Sequence, residues 1–399
     1  MPASRPNLRL GAARPPVWPA TEPADPRAAF ARERADELTV GLEEELHLVD
    51  PRRLELARSA PHALERAAGD PRFAAELKES QLELVTRPHG EVGSLARELA
   101  GLRLRALELL ADEALIVASG THPFSARWDD VARGDRYAAI AHEYAWAVKG
   151  SVPAGLHVHV AVAGADRALA LYNALRGYLP DLQALAANSP FLEGRDTGLA
   201  AVRPLVNATF LRSGVPPAFA TWRELDEYVR WGVRGGMFPD ASHLWWDLRL
   251  HLRHGTLELR ATDVQTRVDD AAAVAAVFRA LAAWLLDRLD AGERLHVPEP
   301  HRVAENARRA VRYGVRAEFA DLATGEREPV RTRLLRLLDE AAPAAERLGS
   351  LAELTHARTL VAENGAERQR YVAARAGLHG LVGWLAEQTR ESARDLLAA

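Results

Sequence analysis

Segment 39–48 alternates acidic and aliphatic side chains, and this alternation is the strongest constraint on the fold. A β-strand directs successive side chains to opposite faces, so Glu43, Glu45 and His47 would share one face. The other face would carry aliphatic residues and one further charge, Glu44. Carboxylates stacked at strand spacing repel one another unless a cation lies between them. The segment therefore predicts a strand with one dry face and one face suited to a cation such as Mg2+.

Four later segments repeat this pattern of one aliphatic and one polar face. Their predicted polar faces carry Glu83 in 81–86; His157 and His159 in 156–160; Asp247, Arg249, His251 and Arg253 in 245–253; and Glu258, Arg260 and Thr262 in 256–262. The last two strands are separated by His254 and Gly255, which suit a tight turn, so we expect them to pair as a hairpin. Each strand taken alone also fits a solvated surface sheet. Solvated faces usually carry Lys, Thr, Ser and Gln, however, so five faces of Glu, His, Arg and Asp favour a metal and anion site.

Composition narrows the class of protein further. The chain of 399 residues has 51 basic and 55 acidic side chains, a net charge of −4, which favours neither nucleic acid nor an anionic membrane. Cysteine is absent, which excludes disulfides, thiolate metal sites and a cysteine nucleophile. The only lysines, Lys78 and Lys149, lie outside any P-loop pattern. If the protein handles phosphates, arginine must therefore bind them, together with a metal.

The chain divides into a short terminal segment and one long domain. Residues 1–37 are rich in Pro and Arg and are expected to form a disordered tail, whereas 38–399 are expected to form a single catalytic domain. Nothing in the sequence is typical of a signal peptide or a transmembrane span, so we expect a cytoplasmic protein. Helical periodicity predicts helices near 60–69, after Ser94, and near 135–149, 166–187, 271–289, 301–313, 332–348 and beyond 351. Strands mixed with these helices predict an α+β fold.

Nine short motifs in one order carry a family resemblance. They are Gly41-x-Glu-Glu-Glu45, Gly120-Thr-His-Pro-Phe124, Gly155-x-His-Val-His-Val160, Ala187-Asn-Ser-Pro-Phe191, Gly194-Arg-Asp-Thr-Gly198, Trp245-Trp-Asp247, Gly255-Thr-Leu-Glu-Leu-Arg260, Arg312-Tyr-Gly314 and Gly365-Ala-Glu-Arg-Gln-Arg370. The chain resembles, from about residue 38 to about residue 390, the bacterial carboxylate–amine ligase family, also called glutamate–cysteine ligase type 2.

The resemblance implies a glutamine-synthetase-like fold, in which a curved, largely antiparallel sheet forms a half-barrel with helices on its outer face. It also implies a reaction. ATP, with Mg2+, phosphorylates a carboxylate, by default the side-chain carboxylate of L-glutamate, and an amine such as L-cysteine then attacks to give an amide. The identity of the amine stays open, because no short motif encodes its recognition. The family further suggests a homodimer through the outer helices.

The resemblance also implies the site residues. Carried over motif by motif, the metal ligands are Glu43, Glu45, Glu83, His157 and Glu258, with Glu79 as a less certain neighbour of Glu83. Arg260 would neutralise the phosphoryl group and bind the nucleotide. Arg249 and Arg253 are the next candidates for binding phosphate or the substrate carboxylate.

Other interpretations of these residues stay open. His159 rather than His157 could be the ligand, and Arg260 could be only a salt-bridge partner of the carboxylates. His122, which precedes Pro123, fits a structural turn better than a catalytic base. A metal-dependent hydrolase would also use a His-x-His pair, but would place it at a first barrel strand followed by βα units. A guanidino kinase would need a cysteine, and a non-catalytic nucleotide- or metal-binding protein is the remaining alternative.

Overall fold

A computed structural model describes residues 25–126, 131–144, 146–150, 153–210 and 212–399. Its strands are β1 (Val40–Val49), β2 (Phe73–Ala75), β3 (Gln81–Val85), β4 (Leu115–Val117), β5 (Gly155–Ala161), β6 (Phe191–Leu192), β7 (Arg195–Asp196), β8 (Leu248–His251), β9 (Thr256–Asp263), β10 (Glu318–Ala320) and β11 (Arg327–Pro329). The α-helices are α1 (Ala60–Ala67), α2 (Val92–Leu110), α3 (Asp135–Tyr144), α4 (Trp146–Lys149), α5 (Ala165–Leu175), α6 (Leu179–Leu185), α7 (Arg203–Ala208), α8 (Trp222–Arg234), α9 (Val268–Asp290), α10 (Pro300–Tyr313), α11 (Val330–Arg347), α12 (Leu351–Ala362) and α13 (Gly365–Ala398).

One seven-stranded sheet organises the described residues. Its strand order is β2-β3-β1-β5-β9-β8, and β4 pairs with the last residues of β1. Every pair of neighbours in this sheet is antiparallel. The remaining strands form two small hairpins, β6-β7 and β10-β11. The observed fold is thus α+β with an open antiparallel sheet, as the alternating patterns predict.

The aliphatic face of the sheet packs against helices. Leu42, Val158 and Leu257 lie in one buried cluster with Val274 and Phe278 of α9, a helix rich in alanine and buried along most of its length. Each large aliphatic side chain buried in this way contributes roughly 1.5–3 kcal/mol. Successive side chains of a strand point to opposite faces, so the polar side chains of these strands lie on the face that these helices do not cover.

Glu44 is the exception on the aliphatic face of β1, and α2 accounts for it. Glu44 and Arg103 are both fully buried and form a two-pronged ion pair, in which Arg103 Nε donates to Glu44 Oε2 over 2.9 Å. The guanidinium also donates to the carbonyl oxygens of Gln265 and Thr266, over 2.7 and 2.8 Å. The pair therefore ties β1 to α2 and to the segment that precedes α9.

One expected boundary, that of the strand over 245–253, needs correction, and the described residues before 38 pack against the fold. Residues 25–37, assigned above to the tail, are folded where the structure describes them, because Phe30 is fully buried with its ring centroid 5.4 Å from that of Trp222. Residues 1–24 of the expected tail lie outside the described residues. The strand expected over 245–253 is limited to β8, and a four-residue turn, 252–255, replaces the expected two-residue turn. Arg253 consequently lies in this turn, not on the polar face of β8.

His122 plays the structural role that its place before Pro123 predicts. The ring is 2 % exposed, its Nε2 lies 2.9 Å from the carbonyl oxygen of Leu54, and its Nδ1 accepts from the Ser125 N–H over 2.9 Å. An Nδ1 that accepts carries no proton, so the ring is the neutral Nε2–H tautomer. Burial lowers the pKa of His122 to about 4.

We expect His122 to make stability depend on pH. A histidine whose pKa falls on folding stabilises the folded state fully above its unfolded pKa of about 6.5, and this stabilisation is lost as the pH falls toward 4. The free energy of unfolding should therefore fall by about 1 kcal/mol per pH unit below pH 6 through this group. Urea unfolding between pH 5 and pH 7 should show a shallower slope for His122→Asn than for the unaltered protein. The exposed His301→Asn is the control, and an equal slope in all three proteins would contradict the expectation.

Candidate active site

The register of the strands assembles the polar face into one continuous row. Glu45 of β1 lies opposite Glu83 of β3, and Glu43 lies opposite His157 of β5. On the far side of β5, His159 lies opposite Glu258 of β9, and Glu258 in turn lies opposite Arg249 of β8. Directly opposed residues in an antiparallel pair have Cβ atoms only ~5 Å apart. Five strands therefore bring carboxylates, imidazoles and a guanidinium to one surface.

Two groups within this row have ligand atoms close enough to hold a cation. The first is Glu43, Glu83 and His157, and the second is Glu43, His159 and Glu258; within each group the ligand atoms lie within 4.8 Å of one another. Glu43 belongs to both groups. Its Oε2 lies 3.2 Å from His157 Nδ1, and its Oε1 lies 3.3 Å from His159 Nε2. The two histidines that the sequence presents as alternatives thus occupy different groups that share one carboxylate.

Two buried imidazole nitrogens in these groups suit a cation. His157 Nε2 and His159 Nε2 are both buried and make no hydrogen bond of good geometry among the described residues, although carboxylate oxygens of Glu45 and Glu43 lie 3.7 and 3.3 Å from them. Burial, followed by the neighbouring charges of Glu76, Glu43 and Glu45, raises the pKa of Glu83 well above its usual value. Crowded carboxylates beside unpaired imidazole nitrogens form the donor set that oxygen-preferring divalent cations bind, with nitrogen ligands in addition.

Glu45 and Glu79 lie outside the two groups. Glu45 belongs to neither group, since its Oε2 accepts from the Gly155 N–H over 2.6 Å and its Oε1 lies 3.7 Å from His157 Nε2. It lies at the edge of the first group. Glu79 does not line the cavity described below. Its carboxylate pairs instead with the exposed Arg133 over 3.5 Å.

Glu76 is the carboxylate that sequence reasoning missed. It follows the three-residue strand β2, whose Ala74 lies opposite Glu83, and it lines the same cavity as Glu43, Glu45 and Glu83. Burial and the charge of Glu45 raise its pKa to about 7. A strand of three residues has no alternation to read, so the sequence offers no periodic signal for Glu76.

Glu258 is held between two arginines. It is fully buried; Arg249 Nε donates to its Oε2 over 2.6 Å, and Arg260 Nη1 donates to its Oε1. Burial alone would raise the pKa of Glu258, but Arg249 and Arg260 outweigh it and lower the pKa well below the usual range. Arg260 Nη1 also lies 3.4 Å from His157 Nδ1, so it joins the two groups. Two of the three expected arginines, Arg249 and Arg260, are therefore at the site and also act as ion-pair partners of Glu258.

A cavity of about 780 Å3 opens over this row. Its lining includes four carboxylates, Glu43, Glu45, Glu76 and Glu83. The lining also includes basic and aromatic side chains, Arg203, Arg249, Arg253, Arg260, Phe210 and Trp245. Arg253, exposed in the β8–β9 turn, also lines this cavity. The volume suits a substrate of nucleotide size together with a small partner.

The sequence of this chain is similar to those of known proteins. Residues 39–399 match the model of the family described as "Glutamate-cysteine ligase family 2". A relative from Rubrobacter xylanophilus, named "Putative glutamate–cysteine ligase 2-3", is 40 % identical over 360 residues, which cover 88 % of this chain and 97 % of the relative. A "Putative glutamate–cysteine ligase 2" from Bradyrhizobium sp. (strain ORS 278) is 35 % identical over 374 residues, with coverage of 91 % and 90 %.

Solved structures give the same architecture at low identity. The glutamate–cysteine ligase of Francisella tularensis, solved in complex with AMP, superposes with a TM-score of 0.63 at 14 % identity, covering 91 % of this chain and 93 % of that one. A bifunctional glutathione synthetase from Pasteurella multocida gives a TM-score of 0.59 at 17 % identity, covering 90 % of this chain and 53 % of that one. These likenesses agree with the predicted α+β, glutamine-synthetase-like fold.

Proposed function

Because the chain belongs to glutamate-cysteine ligase family 2, we propose that it is an ATP- and Mg2+-dependent ligase that joins the side-chain carboxylate of L-glutamate to an amine. L-cysteine is the default amine. The observation that carries the proposal is the pair of carboxylate–histidine groups that share Glu43 beside Arg249 and Arg260, at a cavity of about 780 Å3. Phosphoryl transfer depends mainly on positioning and on cations around the transferred group, and this arrangement supplies both.

The metal-binding residues follow from the two groups. Glu43, Glu83 and His157 would hold one divalent cation, and Glu43, His159 and Glu258 would hold a second. Glu45 and Glu76 add two carboxylates at the edge of the first group. A bound divalent cation neutralises charge on phosphoryl oxygens and fixes their orientation.

The arginines carry the remaining positive charge. Arg249 and Arg260 keep Glu258 ionised and, on the cavity side, offer N–H donors to the phosphoryl group. Arg253 lies in the β8–β9 turn, lines the cavity and would bind nucleotide phosphate there. The planar fork of arginine matches phosphate oxygens, which suits a chain that has almost no lysine.

The proposed reaction has two steps, phosphoryl transfer to the carboxylate and then formation of the amide. An oxygen of the glutamate side-chain carboxylate attacks the γ-phosphorus of ATP, the bond to the β–γ bridging oxygen breaks, and ADP leaves. The amine nitrogen attacks the carbonyl carbon of the acyl phosphate, phosphate leaves with the bonding electron pair, and the amine proton passes to solvent. The products are an amide, ADP and phosphate.

The alternatives considered from the sequence fit less well. A hydrolase built on alternating βα units needs a parallel barrel, whereas all neighbouring strands of the main sheet described here are antiparallel. A ligase releases ADP, whereas a protein that only binds the nucleotide does not, so a measurement of ADP release distinguishes the two.

None of the helices in the described residues is long and apolar enough to cross a membrane. A cytoplasmic location, a homodimer and the boundary of a single catalytic domain near residue 38 stay predictions.

The test is ADP release from Mg-ATP and L-glutamate across a panel of amines that includes L-cysteine. We expect ADP release to require glutamate and at least one amine, with the amide detected by mass spectrometry. Glutamate-dependent ADP release without an amine would identify the acid and leave the amine to be found. If no carboxylate supports ADP release although Mg-ATP binds by calorimetry, the proposal is wrong and a binding protein is the better description.

A further inference from the structure

The described residues ahead of β1, 25–38, form a strap that packs across the fold. The strap lies outside the match to the family model, which begins directly after it. In its middle Phe30 is fully buried, and the Phe30 carbonyl accepts from the Gly164 N–H over 2.9 Å. At its end the Leu38 N–H donates to the carbonyl oxygen of Ala161 over 2.8 Å. The strap is therefore anchored at more than one point along its length.

The strap contacts the β8–β9 turn at two adjacent residues. Arg32 Nη2 donates to the carbonyl oxygen of His254. At the next residue, Gly255, φ is +62° and a Cβ would lie 1.9 Å from the carbonyl oxygen of Ala29. A side chain at position 255 would thus collide with the backbone of the strap, and the left-handed φ also favours glycine. The strap lies directly against the backbone of the turn.

Arg253 depends on this turn for its position. Its side chain is exposed and forms no hydrogen bond or ion pair with any residue in the described part of the chain. Within the hairpin, His251 accepts from the His254 N–H over 3.1 Å and from the Gly255 N–H over 2.9 Å. Exposed turns are mobile unless other segments hold them. The bond from Arg32 reaches the residue directly after Arg253 from 222 positions away along the chain.

The strap and the turn border the same cavity. Asp25 and Pro26 of the strap line it, as do Arg253 and His254 of the turn. Arg32 is not among the described residues that line the cavity. Any effect of Arg32 on a ligand in the cavity must therefore pass through the turn.

We propose that the strap positions Arg253 for the phosphates of the nucleotide, with Arg32 as the positioning residue. The inference rests on the proposed function, which takes nucleotide phosphate as the ligand of Arg253. A guanidinium that is already held in place loses less conformational entropy when it binds, so its contact contributes more to affinity. The strap thus tunes the affinity for the nucleotide and leaves the chemical step unchanged.

The KM for ATP, measured by ADP release, tests the role of Arg32. For Arg32→Met we expect this KM to rise roughly 3- to 20-fold, because a charge-assisted hydrogen bond to the His254 carbonyl is lost. The kcat and the KM for L-glutamate should change less than about twofold. Arg32→Lys can still donate to a carbonyl oxygen and should restore most of the affinity. Arg34→Met is the matched control and should leave the KM for ATP unchanged, since Arg34 lies on the same strap but pairs with Asp290.

A double variant separates positioning from a general loss of structure. In Arg253→Gln the guanidinium is gone, so adding Arg32→Met should raise the KM for ATP less than about twofold further. If Arg32→Met raises this KM by the same factor in both backgrounds, the strap does not act through Arg253 and the proposal is wrong. ADP release with a KM for ATP that Arg32→Met leaves unchanged would also reject the proposal, while the ligase function stands.

Hydrogen exchange tests the strap without any turnover. In the unaltered protein, Mg-ATP should slow the exchange of backbone amides in 25–38 and 252–255, and it should slow this exchange less in Arg32→Met. If Mg-ATP binds by calorimetry and no ADP is released, this pattern upholds the strap while the ligase proposal fails. Exchange in the strap that bound Mg-ATP leaves unchanged would reject the strap, as would a failure of the unaltered protein to bind Mg-ATP.

Discussion

Glu43→Gln is expected to reduce the rate of ADP release at least ~10³-fold, the largest effect of any single change at the site. Glu43 is the one carboxylate shared by both groups of potential metal ligands, so its replacement weakens two cation positions at once. A neutral amide also cannot balance the imidazoles, since Glu43 contacts His157 and His159 at 3.2 and 3.3 Å. Steady-state ADP release at saturating Mg-ATP measures the effect.

Magnesium binding separates loss of a ligand from loss of the fold. Adding Mg2+ should raise the Tm of the unaltered protein and leave that of Glu43→Gln unchanged, while far-UV circular dichroism stays the same. Glu65→Gln, which alters an exposed carboxylate on α1, is the matched control and should behave as the unaltered protein. Near-normal ADP release by Glu43→Gln would show that the proposed metal groups are not the catalytic ones.

Arg103→Met is expected to lower the free energy of unfolding by about 3–5 kcal/mol, although it lies on the helical side of the sheet. The change leaves Glu44 fully buried without a cation and removes two hydrogen bonds to the carbonyls of Gln265 and Thr266. Urea unfolding at pH 7 measures the loss. A single change of this size is a large part of the ~5–15 kcal/mol that holds a typical domain together.

Two comparisons isolate the buried ion pair. Arg105→Met, on the same helix but exposed and paired with Glu108, should alter the free energy of unfolding by less than about 1 kcal/mol. In the double variant Glu44→Gln with Arg103→Met, the loss should be smaller than the sum of the two single losses, because no buried charge is left unpaired. A strictly additive double variant would contradict the coupling between Glu44 and Arg103.

The sequence predicted which face of each strand is polar. Glu43, Glu83, His157, Arg249, Glu258 and Arg260 all lie at the assembled site, and the family resemblance drawn from the motifs is confirmed by the match over residues 39–399. Alternation has a period of two residues along one strand, and such a local rule is readable without knowing the partners. The metal and phosphate roles of these residues stay predictions.

The choice between His157 and His159 shows where local patterns end. Both point to the polar face, so the sequence alone left either one as the ligand. The register of β5 sets His157 opposite Glu43 on one side and His159 opposite Glu258 on the other, which gives each a place in a different group. Register joins segments that are distant along the chain, and a shift by one residue would have turned each face over.

Arg253 and Glu76 illustrate the same division. The alternating pattern predicted a strand that continues to Arg253. In the structure the antiparallel pairing of β8 with β9 ends at His251, and Arg253 lies in the turn. Glu76 follows a three-residue strand and reaches the site only because that strand pairs with β3 beside Glu83.

The sequence by itself determined the alternating faces, the helices behind them and the residue types that a cation and a phosphate need, because each depends on neighbours along the chain. Only the tertiary structure decided that Glu44 pairs with Arg103, that Glu43 is shared, and that Arg203 and Asp247 face one cavity. These contacts join residues separated by tens of positions or more. Their geometry follows from strand register and helix packing, which no short stretch of sequence specifies on its own.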